Sequence, residues 1–192
     1  MAVDGKYCGH ILVADRIRSG AFDALESLRV QGIKKMVLLT GDVLSVARPL
    51  ASKLNFDMLR AELKPEDKLS ALAYLMSNKG SKSSVAFVGD GYNDRALMER
   101  VDVGIAMGAL GSEAAFMWAD VLVMDRVIRK LPKAIGISKL AAHISLENIA
   151  AGICVNLAAA VLGAAGILSV TAAVIACFAV SAAVLVNTLR LK

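Results

Sequence analysis

The stretch "VAFVGDGYNDRALM", residues 85–98, decides how this chain is read. Its apolar start runs straight into Gly89-Asp90-Gly91 and then into Asn93-Asp94. In open α/β sheets, ligands sit beyond the carboxyl ends of the strands. Two acidic side chains and two glycines at such an end suit a cation or a phosphate. Mg²⁺ takes oxygen ligands and keeps several waters, so two carboxylates plus a phosphoryl oxygen would hold it. The bland reading, a glycine-rich turn carrying a solvated Asp, fits this spacing less well.

Working outward, short β-like runs alternate with helical ones. "HILVAD" (10–15) reads as a strand, "GAFDALESLRVQG" (20–32) as an amphipathic helix closed by Gly32, and "KKMVLLTGD" (34–42) as a strand. "SVARPLASKLN" (45–55) is helical, "FDMLRAEL" (56–63) a short strand, and "KPEDKLSALAYLMSNKG" (64–80) a helix with Pro65 in its first turn. Strands follow at 83–90, 101–107 and 119–124, with a helix at 93–100. This rhythm predicts a parallel sheet with helices on both faces. Thr40-Gly41-Asp42 falls at a second strand end, and Lys68 lies on the helix between the two loops. Together they offer a hydroxyl, main-chain N–H groups and an ammonium to a phosphate, although T-G-D alone is also an ordinary turn.

The rest of the chain is of another kind. From Asn148 to Leu189, 42 residues pass without Asp, Glu, Lys, Arg or His. A helical membrane span needs about 20 apolar residues. The tail therefore predicts a two-helix transmembrane hairpin turning near Gly163 to Gly166. A buried hairpin in a soluble protein would normally keep a polar face, which this run lacks. Arg126, Arg129, Lys130, Lys133 and Lys139 precede it, and Arg190 and Lys192 follow. Basic flanks on both sides place the soluble domain and both termini in the cytoplasm, and membrane lipid is the expected surrounding. We divide the chain into a domain at 1–128, a basic linking helix at 129–147 and the hairpin at 148–190. Met1 to Lys6 does not read as a signal segment. The net charge of +5 is too mild and too evenly interleaved for nucleic acid. Cys8, Cys154 and Cys177 have neither disulfide-framework nor zinc-knuckle spacing.

"LLTGD", "KPEDK", "VGDGYND", "VDVGIAMG", "GSEAA" and "VNTLRL" resemble, in order and over essentially the whole chain, part of the phosphorylation domain and the last two membrane helices of P-type ATPases. The heavy-metal-transporting branch is the most similar. The resemblance implies a haloacid-dehalogenase-like α/β domain in a bacterial plasma-membrane exporter. It implies that Asp90 binds Mg²⁺, that Asn93 and Asp94 complete that site, and that Thr40 and Gly41 cradle the phosphoryl group. Asp42 would hold the loop and Lys68 would offset the phosphoryl charge.

The departures are as informative. No D-K-T-G-T occurs, and nothing resembles a nucleotide-binding domain. Asp15 is a poor substitute nucleophile, because Ile17 stands where the superfamily wants Asp or Thr. Alone, the chain is expected to be inactive, using ATP only if a separate chain or segment supplies the missing part. A membrane-bound remnant or split subunit, and a dehalogenase-type phosphatase, are the rival readings. Arg95-Ala96 replaces the family's Ala-Pro, and Met117-Trp118 stands where a small or acidic pair is common.

In the tail, Cys154 and Cys177 lie 12 and 11 residues from Gly166, hence at similar depth. With Asn156 they are candidate ligands for a soft cation of the zinc, cadmium or copper class, although a cysteine in an Ala-rich span also serves as a small packing residue. Zinc and cadmium exporters commonly carry Lys at the position of Asn156 and Asp at that of Cys177. Copper exporters share the Asn but have Met for Cys177. The transported ion stays open.

Overall fold

The structure, a computed structural model, describes residues 2–3, 6–7, 9, 17–90, 94–108 and 117–191. The strand expected at 10–15, Asp15, Cys8 and Asn93 lie outside the described residues. The chain falls into two compact units, Met1–Leu131 and Pro132–Lys192.

The first unit is the expected α/β domain. A small antiparallel pair, β1 (Ala2–Val3) with β2 (Lys6–Tyr7), opens it. Its sequence signal was the Asp4-Gly5 pair between them, a strong hairpin dipeptide. Helix α1 (Ala21–Val30) buries Ala21, Ala24 and Leu28, a spacing of three and four residues that puts them on one face. Gly32, at φ +93°, supplies the left-handed turn after it. The guanidinium of Arg29 then reaches both oxygens of Asp57 at 3.2 Å, and Oδ2 of that carboxylate also accepts the Met36 N–H at 2.7 Å. These bonds hold Asp57 below the usual carboxylate range, the Met36 bond most of all.

Strand β3 (Val37–Leu39) pairs in parallel with β4 (Met58–Arg60), Val37 opposite Met58. Between them α2 (Leu44–Lys53) packs through Ala47 and Ala51. Helix α3 (Pro65–Ser77) has Pro65 at its first position, where no N–H is needed. The carboxylate of Asp67 accepts the Lys64 N–H at 3.1 Å, closing that helix start. A second parallel ladder orders β5 (Ala86–Gly89), β6 (Val103–Met107) and β7 (Val121–Val123), with β6 central and fully buried over Gly104 to Ala106. That burial explains its unbroken apolar sequence. The four-residue α4 (Arg95–Met98) lays Met98 on Ala106, with Phe87, Ala119 and Leu122 around them. Among the described residues the expected parallel sheet comes as these two separate ladders, each strand shorter than its sequence signal.

In the second unit the linking helix and the first span are one continuous helix, α5 (Lys130–Ala164), with no break near residue 147. Pro132 interrupts nothing, because N–H groups in the first turn have no intrahelical partner. A turn at Gly166 (φ +72°) leads to α6 (Val170–Thr188), whose Ser169 side chain caps the start by accepting the Ala172 N–H at 3.3 Å. A short 3₁₀ turn, Leu189–Leu191, ends it. Both helices are long and apolar enough to cross a membrane, and their apolar side chains are largely uncovered.

Candidate functional site

Strand β5 ends at Gly89, and the chain passes Asp90 before Asp94 begins the turn into α4. Asp90 is exposed, whereas the Asp94 side chain keeps only 15% of its surface. It is held there by Lys68, whose ammonium comes from α3 to 3.5 Å of Asp94 Oδ1. The two residues are 26 apart in sequence, and the fold of β4, α3 and β5 brings them together. Gly89 makes the approach possible. A Cβ there would lie 2.7 Å from Asp94 Oδ2 and 2.8 Å from Phe87. Gly89 is thus a site residue in its own right, required by the space it leaves rather than by its backbone angles.

The Thr40 turn is a closed unit. The Thr40 hydroxyl donates to Asp42 Oδ2 at 2.7 Å and accepts the Asp42 N–H at 3.1 Å. A threonine has one hydroxyl proton, and here Asp42 takes it. An anion arriving at this turn therefore meets main-chain N–H groups first, or has to turn the hydroxyl away from Asp42. The segment before α3 braces this loop. Thr40 carbonyl accepts the Leu63 N–H at 3.1 Å, Asp42 carbonyl accepts the Glu62 N–H at 2.9 Å, and Glu62 Oε1 accepts the Leu44 N–H at 3.1 Å. A Cβ on Gly41 would come within 3.3 Å of the Leu63 carbonyl. The chain of contacts thus runs from Thr40 through Leu63 into α3, and from Lys68 to Asp94. Glu62, with φ +59°, was invisible to sequence reading, because nothing local marks a residue that caps a helix 18 positions earlier.

The donor set at β5 suits a hard cation. Two carboxylates four residues apart offer oxygens only, and Gly89 keeps the space beside Asp94 clear. Among the described residues, no three His, Cys, Asp or Glu converge on one point.

In the second unit an open groove of about 390 Å³ lies between α5 and α6, lined in part by Asn156, Ala159, Ala173, Cys177, Phe178 and Ser181. Asn156 Nδ2 donates to the Gly152 carbonyl at 2.8 Å and Ser181 Oγ to the Cys177 carbonyl at 2.9 Å, so the one Ser181 proton is spent on its own helix, whereas an amide carries a second N–H and an acceptor oxygen. The structure brings Asn156 and Cys177 together and leaves Cys154 out: it is exposed and does not line the groove. The reason is angular. At 3.6 residues per turn, positions 154 and 156 point about 200° apart. Equal depth in a membrane does not place two residues on one face.

A family profile for haloacid dehalogenase-like hydrolase matches residues 1–102. Over 191 residues, all of this chain, it is 39% identical to a zinc-transporting ATPase of Synechocystis, and covers 26% of that protein. It is 35% identical over 190 residues to a cadmium, zinc and cobalt-transporting ATPase of Bacillus subtilis, covering 99% of this chain and 27% of the other. A crystal structure of a zinc-transporting PIB-type ATPase in its E2.Pi state superposes with a TM-score of 0.82 at 30% identity, over 93% of this chain and 28% of that one. The chain thus spans about a quarter of the length of the curated relatives it matches.

Proposed function

Because this chain belongs to the haloacid dehalogenase-like hydrolase family and is similar along its whole length to heavy-metal P-type ATPases, we propose that it is the C-terminal segment of an ATP-driven heavy-metal cation exporter. In this reading the first unit supplies the Mg²⁺ and phosphate contacts, and the second supplies the last two membrane helices of a cytoplasm-facing assembly in the plasma membrane. The observation that carries it is the meeting of Lys68 with Asp94 beside Gly89-Asp90, residues dispersed in sequence and gathered at one strand end.

Asp90 and Asp94 would hold Mg²⁺, and Asn93 would join them. The bound ion would supply charge neutralisation for phosphoryl oxygens. Lys68 balances Asp94 when no phosphate is present and would turn to a phosphoryl oxygen when one arrives. Thr40, Gly41 and Asp42 would present the main chain of their turn to the same group. The phosphoryl acceptor and the nucleotide domain have to come from elsewhere, since these 192 residues contain no D-K-T-G-T. In the hairpin, Asn156 and Cys177 would face the transported cation, a soft or borderline metal of the zinc, cadmium or copper class.

The test is thermal unfolding of the full chain in detergent, with and without about 10 mM Mg²⁺, beside Asp90→Asn. With two carboxylates and no third anion, affinity should be about millimolar. Binding to the folded state alone then adds about 1.4 kcal/mol at ten times Kd. Mg²⁺ should raise the midpoint of the parent and not of the variant. An equal rise in both, or none in either while both fold, removes the cation role of Asp90 and this reading of the loop.

A further inference from the structure

We infer that the stack of Arg95 on Trp118 is a positioning clamp for Asp94, tying the first turn of α4 to the β6–β7 ladder so that the Asp94 carboxylate stays beside Gly89 for the cation. The inference rests on the reading of Asp90 and Asp94 as Mg²⁺ ligands and adds two residues to that site's support.

Helix α4 is four residues long, far too short to hold its own shape. Leu97 and Met98 anchor its inner side by burial. Its other anchor is Arg95, directly after Asp94. The Arg95 guanidinium carbon lies 3.4 Å from the centroid of the Trp118 ring, and Arg95 Nε donates to Glu99 Oε1 at 2.9 Å. Trp118 is itself fixed. Its neighbour Ala119 packs against Met98 and Ala106, and Asp120 is locked to β6 by its N–H to the Gly104 carbonyl at 2.9 Å and by its carboxylate to the Gly104 N–H at 2.8 Å. The stack therefore connects a loop that would hold a ligand to the most buried strand of the domain.

The tolerance at Asp94 is narrow. Its Oδ2 already occupies space so near Gly89 that a single added carbon would stand 2.7 Å away, and Lys68 holds the other oxygen at 3.5 Å. A small rotation of the α4 start would move the carboxylate out of this slot. Arg95 and Trp118 were two of the positions at which the sequence departs from the pattern of P-type ATPases. Their contact makes them one compensated change rather than two losses.

The experiment exploits the fact that Trp118 is the chain's only tryptophan. The full chain in detergent is titrated with Mg²⁺ while Trp118 emission and the thermal midpoint are followed, in the parent, Arg95→Ala, Trp118→Leu and the conservative Trp118→Phe. Cation–π pairs at partly exposed positions contribute enough for about a three- to tenfold effect on a coupled equilibrium. Arg95→Ala and Trp118→Leu should weaken Mg²⁺ binding by about that factor, and Trp118→Phe should restore part of it. In the parent, emission should change with Mg²⁺ at the same Kd that the midpoint reports, and Arg95→Ala should abolish that change. Unaltered Mg²⁺ affinity in well-folded Arg95→Ala and Trp118→Leu, with only a lower midpoint, makes the stack purely structural and overturns the inference. If the parent responds to Mg²⁺ no differently from Asp90→Asn, the cation reading itself has failed and takes the inference with it.

Discussion

Replacing Gly89 by alanine tests how tightly the Asp94 slot is built. The new Cβ would lie 2.7 Å from Asp94 Oδ2 and 2.8 Å from Phe87 Cε1, so these neighbours have to retreat by about 0.6–0.7 Å to reach ordinary contact. Phe87 packs on Met98 and Ala106, the core of the β5–β6–β7 ladder, and has little room to give. Overpacking of this kind costs about 1–3 kcal/mol. Alanine recovers about 0.5–1 kcal/mol by being less flexible than glycine in a strand. The net loss should be up to about 2.5 kcal/mol and about 1.3 kcal/mol at the middle of these ranges, a fall of several degrees in the melting midpoint of the first unit. If Asp94 yields instead of Phe87, its link to Lys68 is disturbed and Mg²⁺ protection should shrink as well. Melting curves of the full chain, with and without Mg²⁺, read both effects. A Gly89→Ala protein that melts within about 1 °C of the parent and keeps its Mg²⁺ response would refute the steric argument.

Acid should weaken the first unit through Asp57, whose carboxylate is held below its usual range by the Met36 N–H and by Arg29. A depressed carboxylate contributes stability above the unfolded value, about 3.9, and loses it as pH falls through the lower folded one. Melting midpoints should therefore fall below about pH 4, and less steeply in Asp57→Asn; parallel slopes would contradict this assignment. In the hairpin, Asn187 Nδ2 donates to Asn148 Oδ1 at 2.8 Å, while Arg190 reaches both Glu147 and Asn187. A double-mutant cycle of Asn148→Ala and Asn187→Ala in bicelles should show coupling of about 0.6–1.7 kcal/mol. Simple additivity would mean that the two amides do not bind the helices to each other.

What the sequence by itself determined follows from periodicity and composition. Alternating apolar runs and helical stretches specified parallel strands joined by helices, because each crossover needs its own amphipathic helix. The uncharged run from Asn148 to Leu189 specified a hairpin, because length and hydropathy alone set what can span a bilayer. The loop Gly89-Asp90-Gly91 stood out because its chemistry is local. Tertiary structure decided what depends on distant partners. Lys68 meets Asp94 only through the packing of α3 beside α4, and Glu62 braces the Thr40 loop across 18 residues. The departures at Arg95 and Trp118 lie far apart in sequence, and only the fold shows that their side chains stack. Cys154 shows the reverse case. Counting residues sets only its position along the helix; a helix also turns by about 100° per residue, and that rotation carries its side chain away from the groove that Asn156 and Cys177 share.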